Sequence, residues 1–261
     1  MSSKTKLIVV KIGGSTLAVS DTSLKDISSL QKIGCAPVVV HGGGPIITEW
    51  MHRQKLKPRF IRGRRVTDFH GLEIAVAVLS GLINKRIVAQ VTAMGGKAIG
   101  LSGVDGQIFK AKQSDPDLGF VGDIVDVNKD LVVSLIEAGY IPILAPIGIS
   151  LLDNDKPTLL NINADTAAAH IARSLCADSL IFMTDVAGVL DSAKQLIPQL
   201  STSEAKHLIN SGTADGGMIP KLEACVAALD RVSTSYIIDG RSEHALLNAI
   251  NGNVTGTLLT L

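Results

Sequence analysis

Thr5-Lys6-Leu7-Ile8-Val9-Val10-Lys11-Ile12-Gly13-Gly14 is the stretch that sets the fold class of this chain. Leu7 to Val10 is a short, fully apolar, β-branched run, the pattern of a strand buried on both faces of a parallel sheet. A single cation, Lys11, and the pair Gly13 and Gly14 come directly off it. Glycine lets a bulky ligand approach the main chain. A lysine beside exposed amides at the carboxyl end of a buried strand is suited to holding phosphate. By itself the segment also fits an ordinary Gly-Gly turn with a solvated lysine, and the rest of the chain has to separate the two.

The same device recurs. Pro37 to Val40 reads as a second buried strand ending in His41-Gly42-Gly43-Gly44-Pro45, where a helical pattern (Ile46, Ile47, Trp50, Met51) begins. Helix N-termini of this kind attract anions through unpaired N–H groups and the dipole. Two glycine-rich strand ends imply two loops closing on one anionic ligand. His-Gly-Gly also occurs in lipase-type oxyanion loops, but those enzymes need a Gly-x-Ser-x-Gly elbow. Gly100-Leu101-Ser102-Gly103 lacks that spacing.

At 261 residues and 46% hydrophobic, the chain can bury a large core as one α/β unit or two intimate lobes. With 25 basic and 24 acidic residues it carries no global polycation, and its 3% aromatic content gives no platform for stacked bases, so nucleic acid is not an expected partner. No uninterrupted apolar run reaches the roughly 18 residues of a membrane span. The N-terminal residues run directly into the first strand, so no signal peptide is expected. Cys35, Cys176 and Cys225 are far apart and form no ligand pattern, which suits reduced thiols in the cytoplasm. The six histidines give no metal signature.

Strand-like runs near 6–11, 37–41, 97–101, 140–145, 179–184 and 235–239 alternate with helical patterns at 21–33, 45–55, 70–93, 128–138, 165–176, 201–211, 218–230 and 242–250. This predicts a mostly parallel sheet with helices on both faces. Residues 103–127 read as a β-hairpin excursion turning at Asp115-Pro116-Asp117. A second turn, Asp153-Asn154-Asp155-Lys156-Pro157, leads a short strand into Asn161. No linker or repeat divides the chain.

Four further clusters carry chemistry. In Asn161-Ile162-Asn163-Ala164-Asp165, Asp165 is placed to cap the alanine-rich helix that follows, but three polar residues are more than a helix start requires, so capping and ligand contact are expected to be divided among them, with at most one of Asn161 and Asn163 facing a given ligand. Residues 51–65 hold seven Lys or Arg, ending in Gly63-Arg64-Arg65. Such a run is by default a solvated face, but one guanidinium could grip a carboxylate bidentately. Leu180 to Leu190 is a buried strand running into a polar turn suited to line a nucleotide. In Gly216-Gly217-Met218-Ile219-Pro220-Lys221, a cation in the first helical turn opposes the dipole unless something negative sits opposite, making Lys221 a second phosphate ligand.

Taken in order, Val10 to Gly14, His41 to Pro45, Gly63 to Asp68, Gly100 to Gly106, Asn161 to Ala168, Thr184 to Leu190, Gly216 to Lys221 and Ile237 to Arg241 resemble the amino acid kinase family, and within it the branch acting on N-acetyl-L-glutamate. The resemblance implies a three-layer αβα sandwich with a central, mostly parallel sheet. It implies a single domain over 1–261, with an amino-acid-substrate lobe at about 1–175 and a nucleotide lobe at about 176–261. The implied reaction is phosphoryl transfer from ATP to the side-chain carboxylate of N-acetyl-L-glutamate, a step of arginine biosynthesis. Carried over by position, Lys11 and Lys221 flank the transferring phosphoryl group and Asp165 holds both ammonium groups. Gly14 and Gly43 amides bind the phosphoryl in flight. Arg65 pairs with a substrate carboxylate, and Gly43, Gly44 and Asn161 contact the acetylated amino acid. Asp185, Val186, Ala187, Gly188, Val189 and Leu190, with Thr213, Ala214 and Asp215, line the nucleotide. Mg²⁺ rides mainly on the ATP phosphates, with no protein cage. A carboxylate acceptor is already ionised at neutral pH, so no general base is required.

Arg64 stands where the family more often has an apolar residue, so Arg64 and Arg65 could share or exchange roles. Arginine-inhibited members carry an extra N-terminal helix; about six residues precede the first strand here, so no arginine feedback and a homodimer are expected. The alternatives are a kinase for carrier-protein-bound aminoadipate in lysine biosynthesis and a non-catalytic nucleotide or amino-acid sensor on the same fold.

Overall fold

The computed structural model describes residues 5–13, 22–151 and 156–261. Gly14 and the Asp153–Asp155 part of the expected second turn lie outside the described residues.

Leu7–Ile12 is the central strand of an eight-stranded sheet. It pairs in parallel with Ala36–His41 on one side and Ser179–Thr184 on the other. Beyond Ala36–His41 come Ile141–Ala145 and Ala98–Ser102; beyond Ser179–Thr184 come Thr234–Asp239, Gly256–Thr260 and Gln199–Ser201. All pairings are parallel except Thr234–Asp239 with Gly256–Thr260, which is antiparallel. Every strand run expected from the sequence is present, within about a residue at its ends. Gln199–Ser201 and Gly256–Thr260 were not expected.

Alternation along the central strand sorts its side chains into two cores. Ile8, Val10 and Ile12 face a layer built from helices Ser23–Lys32, Gly44–Arg53, Phe69–Ala93 and Ala245–Ile250. Val9 faces the opposite layer, built from Asp130–Glu137, Ala164–Leu175, Thr202–Asn210 and Met218–Ala228. Lys11 has the parity of Val9, so its ammonium rises on the face covered by Ala164–Leu175. That helix is lined on its buried side by Ala167, Ala168, Ala169 and Ala172, and such small residues allow close approach to the sheet. The result is the expected three-layer αβα arrangement.

The hairpin excursion is also present, Phe109–Gln113 pairing antiparallel with Val121–Val127. It is part of something larger. Ile147–Ser150 and Thr158–Ile162 complete a closed four-stranded barrel beside the main sheet. A short antiparallel pair, Phe60–Ile61 with Arg64–Arg65, turns at Gly63, whose φ of 75° suits glycine.

The expected long helix at 70–93 contains a π-helical stretch, Ala77–Ile83, between α-helical Phe69–Val76 and Asn84–Ala93. By length and composition Phe69–Ala93 could cross a membrane, which a count of uninterrupted apolar runs does not reveal. Here its Ile74, Val78, Leu79, Ile83, Ile87 and Val91 are buried in the core.

Candidate active site

The loops at the carboxyl ends of the parallel strands hold the candidate residues, as expected for an open α/β sheet. Lys11 and Asp165 are both buried, at 7% and 5% exposure. Lys11 Nζ lies 2.7 Å from Asp165 Oδ1, and Lys221 Nζ lies 3.2 Å from Asp165 Oδ2. Lys221 also donates to the Gly217 carbonyl at 3.1 Å. One carboxylate thus ties together a strand end and two helix starts, and the group keeps a net positive charge.

Asp165 can do this because it is not the helix cap. Asn163 is: its Oδ1 accepts from the Asp165 and Thr166 amides at 2.8 and 3.1 Å. Of the two roles the sequence leaves open for Asp165, capping falls to Asn163 instead, and the reason is physical. A capping carboxylate would be turned back onto its own helix, whereas Asp165, one position past the first helical residue, is free to face the lysines. The expectation that only one asparagine faces a ligand fails. Asn161 and Asn163 both line the cavity above Lys11, since residues two apart in extended chain share a face.

That cavity, of about 240 Å³, is bordered by Lys11, Gly43, Gly44, Arg64, Arg65, Asn161, Asn163 and Asp165. Gly43 is the N-cap of Gly44–Arg53, a helix start without a side-chain cap, and Gly217 likewise begins Met218–Ala228 without one. Pro45 and Pro220 bring no N–H to these first turns and Met218 N–H donates to the Asp215 carbonyl at 3.0 Å, so the amides at Gly43 and Gly44 are the ones best placed for an anion. Gly43 has a steric reason as well: a Cβ there would overlap the ends of the Leu79 and Ile83 side chains.

Arg64 and Arg65 have different surroundings. Arg64 donates to Ser114 Oγ at 2.7 Å and pairs with Asp123 Oδ1 at 2.9 Å, tying its short strand pair to the barrel. Arg65 donates to the Gly44 carbonyl at 2.9 Å and to Thr48 Oγ1 at 2.7 Å, and stacks 4.8 Å from the Phe60 ring centroid. Among the described residues it has no carboxylate partner. Burial, uncompensated, lowers its pKa. Asn161 Nδ2 donates to Thr67 Oγ1 at 3.1 Å, which fixes the strand end against this segment.

A second cavity, of about 310 Å³, is bordered by Asp185, Val186, Gly188, Val189, Leu190, Thr213, Ala214, Asp215 and Lys221. Of the expected nucleotide residues, only Ala187, which is exposed, is not on its wall. Thr184 shapes the turn, its hydroxyl donating to the Val186 carbonyl at 2.9 Å. The wall is largely apolar, with charge at its edge. Lys11 borders the first cavity and Lys221 the second, so the Lys11–Asp165–Lys221 cluster stands where the two meet.

A pair of cavities is weak evidence of kinship, but the sequence matches the amino acid kinase family over residues 6–239. The chain belongs to the amino acid kinase family. Among its relatives, the acetylglutamate kinase of Cereibacter sphaeroides is 43% identical over 258 residues, covering 97% of this chain and 87% of its own. That of Thermoanaerobacter pseudethanolicus is 45% identical over 253 residues, covering 93% and 83%. Among solved structures, smu.665 from Streptococcus mutans UA159 superposes with a TM-score of 0.84 at 30% identity, covering 97% of this chain and 98% of that one.

The electrostatics of this amino acid kinase site are set by burial against ion pairing. Burial raises the Asp165 pKa, but the two ammonium groups outweigh it and hold the carboxyl below its ordinary range. For Lys11 burial dominates and lowers the pKa; Asp165 opposes this without cancelling it, and the Lys221 charge adds to the lowering. Among the described residues no group of three or more His, Cys, Asp or Glu could hold a metal ion. Asp165 is already engaged by both lysines.

Sequence reasoning missed Lys194 and Met218 on the second cavity and Phe60 and Leu79 on the first. Nothing in their local sequence marks them. Lys194 stands in a turn at φ 61°, closed by Gln195 N–H donating to Asp191 Oδ1 at 2.8 Å, and only that backbone turn brings it to the wall.

Proposed function

We propose that this protein transfers the γ-phosphoryl group of ATP to the side-chain carboxylate of N-acetyl-L-glutamate, forming an acyl phosphate in arginine biosynthesis. The observation that carries the reading is the Lys11–Asp165–Lys221 cluster at the junction of the two cavities. Its likeness at 40–45% identity to acetylglutamate kinases over nearly the whole chain supports the substrate.

The chemistry brings an anionic nucleophile onto an anionic donor, so neutralisation and positioning are the main tasks. Lys11 approaches the phosphoryl from the first cavity and Lys221 from the second. Asp165 holds both ammonium groups at fixed separation, so they need not reorganise as charge shifts. The uncapped Gly43 amide, with that of Gly14, receives phosphoryl oxygens. Arg65, lacking a carboxylate of its own, binds a substrate carboxylate, with Asn161 and the Gly43–Gly44 backbone placing the rest of the acetylated amino acid. Arg64 holds the short strand pair that carries Arg65 to the barrel. Asp185 to Leu190 and Thr213 to Asp215 enclose the nucleotide. Mg²⁺ fits as a passenger on the ATP phosphates, since Asp165 is engaged by both lysines and the described residues hold no group of three or more His, Cys, Asp or Glu for it; it neutralises the phosphate chain when bound.

In this reading residues of about 1–175 bind the amino acid and those of about 176–261 the nucleotide, both lobes sharing one sheet. The protein works in the cytoplasm, in keeping with three free cysteines among the described residues, and as a homodimer, for which sedimentation at twice the 27.3 kDa chain mass is the check.

The test is ATP-dependent formation of a hydroxylamine-trapped acyl phosphate, comparing N-acetyl-L-glutamate with glutamate, aspartate and N-acetylaminoadipate. Preference for N-acetyl-L-glutamate supports the reading; no product from any of the four overturns it.

A further inference from the structure

Under the Gly42–Gly44 turn lies a buried polar pair that the chemistry above does not use. His41 and Asn84 are both fully buried. Asn84 Nδ2 lies 3.2 Å from His41 Nε2, 3.2 Å from the Leu101 carbonyl oxygen and 2.9 Å from that of Ile143. Two carbonyls around one atom require that atom to be the amide donor; the flipped amide would aim an oxygen at both. Asn84 Oδ1 in turn accepts from Lys85 Nζ at 3.1 Å. The Gly42 carbonyl, 3.0 Å from His41 Nδ1, can only accept, so the ring proton sits on Nδ1, and Nε2 shares the two Asn84 amide hydrogens with the two carbonyls.

Asn84 directly follows the π-helical stretch Ala77–Ile83. The same stretch supplies Leu79 and Ile83, whose ends leave no room for a Cβ at Gly43. A π-turn shifts the angular register of the residues after it and is frequent at functional sites. Here it sets two apolar ends and one amide beneath a single glycine loop. The Gly42 carbonyl and the Gly43 N–H belong to one planar trans peptide, so they point in opposite directions. Holding the carbonyl down aims the N–H up.

We infer that Asn84 and His41 are positioning residues: Asn84 holds the imidazole as its Nδ1–H tautomer, and the hydrogen bond from Nδ1 to the Gly42 carbonyl aims the Gly43 amide into the anion cavity. The kinetic arm of the test rests on the phosphoryl-transfer reading; the spectroscopic arm does not. The tautomer is stable over the working pH range. Burial pushes the His41 pKa down to about 4, against the Gly42 carbonyl, which raises it, and with the nearby Lys85 charge, which lowers it further. Lys85 is the charged group that acts on this ring.

Asn84→Asp makes the mechanism visible. The carboxylate sets an oxygen against the Leu101 and Ile143 carbonyls, which lowers stability, and against Nε2, where it favours a second proton on the ring and raises its pKa. At the acid end the imidazolium donates from both nitrogens, and the bond to Gly42 survives. Above the raised pKa the one remaining proton goes to Nε2, Nδ1 becomes an acceptor facing a carbonyl, and the peptide turns. In the full chain, kcat of Asn84→Asp relative to the unsubstituted protein is expected to fall about tenfold or more as pH rises from 6 to 9, with KM for ATP within about twofold. An Asn84→Asp protein that folds and tracks the unsubstituted protein at every pH, or loses kcat equally at all of them, overturns the inference.

The second arm is ¹⁵N NMR of the His41 ring and the Gly43 amide. The unsubstituted protein should show Nδ1–H with Nε2 as acceptor and no titration between pH 6 and 9. In Asn84→Asp the Gly43 amide should shift with the same midpoint as the ring. An Nε2–H tautomer in the unsubstituted protein contradicts the inference even if the variant fails to fold. If that arm holds while N-acetyl-L-glutamate is not phosphorylated, the functional reading falls and the positioning role stands.

Discussion

Lys11 and Asp165 form a buried ion pair, 2.7 Å across, between the central strand and the helix above it. Strand parity puts the ammonium on that face, and the Asn163 cap leaves the carboxylate free to meet it. Because Lys221 shares the same carboxylate at 3.2 Å, the pair is one half of a cluster with excess positive charge. A buried pair of this kind is poor evidence of added stability. It is better explained as charge stored for an anion.

Asp165→Asn removes the counter-charge and leaves two buried ammonium groups facing each other. Breaking a buried pair on one side costs about 3–5 kcal/mol, so the urea midpoint should fall. Loss of a preorganised electrostatic group costs about 10²–10³-fold in kcat. Steady-state kinetics and urea unfolding measure both; an Asp165→Asn protein with unchanged kcat contradicts the assigned role.

The pH dependence of stability has a defined sign. The Asp165 pKa is depressed in the folded state, so its contribution is present above the unfolded carboxylate value of about 3.9 and is lost as pH falls through the folded value. Lys11 is shifted down from 10.5, so the cost of burying its charge is relieved as pH rises through the lowered value toward 10.5. Unfolding free energy measured from pH 3 to 10 should drop at the acid end in the unsubstituted protein. Asp165→Asn should lose less at that end.

Arg65→Ala should raise KM for N-acetyl-L-glutamate by about 10–100-fold, the worth of a charge-assisted hydrogen bond, while KM for ATP stays nearly constant. Arg65→Lys should recover little, since an ammonium cannot bind a carboxylate bidentately. Arg64→Ala cuts the tie to Ser114 and Asp123 and should affect KM far less. Equal effects of the two alanine changes would show that the arginines share the task.

Asn163→Ala leaves two helix-start amides without their acceptor. The expected loss is about 0.5–2 kcal/mol, read from thermal or urea unfolding. An effect near zero would mean that water or Thr166 replaces the cap.

The central sheet was legible because its strands are fully buried, and buried parallel strands leave unbroken runs such as Val38 to Val40 and Leu180 to Met183. The last two strands beyond Thr234–Asp239 were harder to see. Gln199–Ser201 and Gly256–Thr260 are short and partly exposed, and their pairing depends on partners far away in sequence. The barrel was half legible for the same reason: a hairpin is local, but closure by Ile147–Ser150 and Thr158–Ile162 is not.

At the site, the glycine and lysine positions were visible because each breaks a local rule, as Lys221 does in a first helical turn. The division between Arg64 and Arg65 was invisible, since it rests on where Asp123 lies, 59 residues from Arg64. The π-helical stretch inside 69–93 left no periodicity that separates it from an α-helix.

The measurement that bears most directly on the account is turnover and ATP affinity of Lys11→Ala, determined side by side on the same folded preparation. Lys11 contacts Asp165 at the junction of the cavities and not the wall of the second one. The account predicts a kcat loss of about 10²-fold or more with the ATP dissociation constant changed only a few-fold. Undiminished turnover, or a loss fully explained by weaker ATP binding, would contradict it.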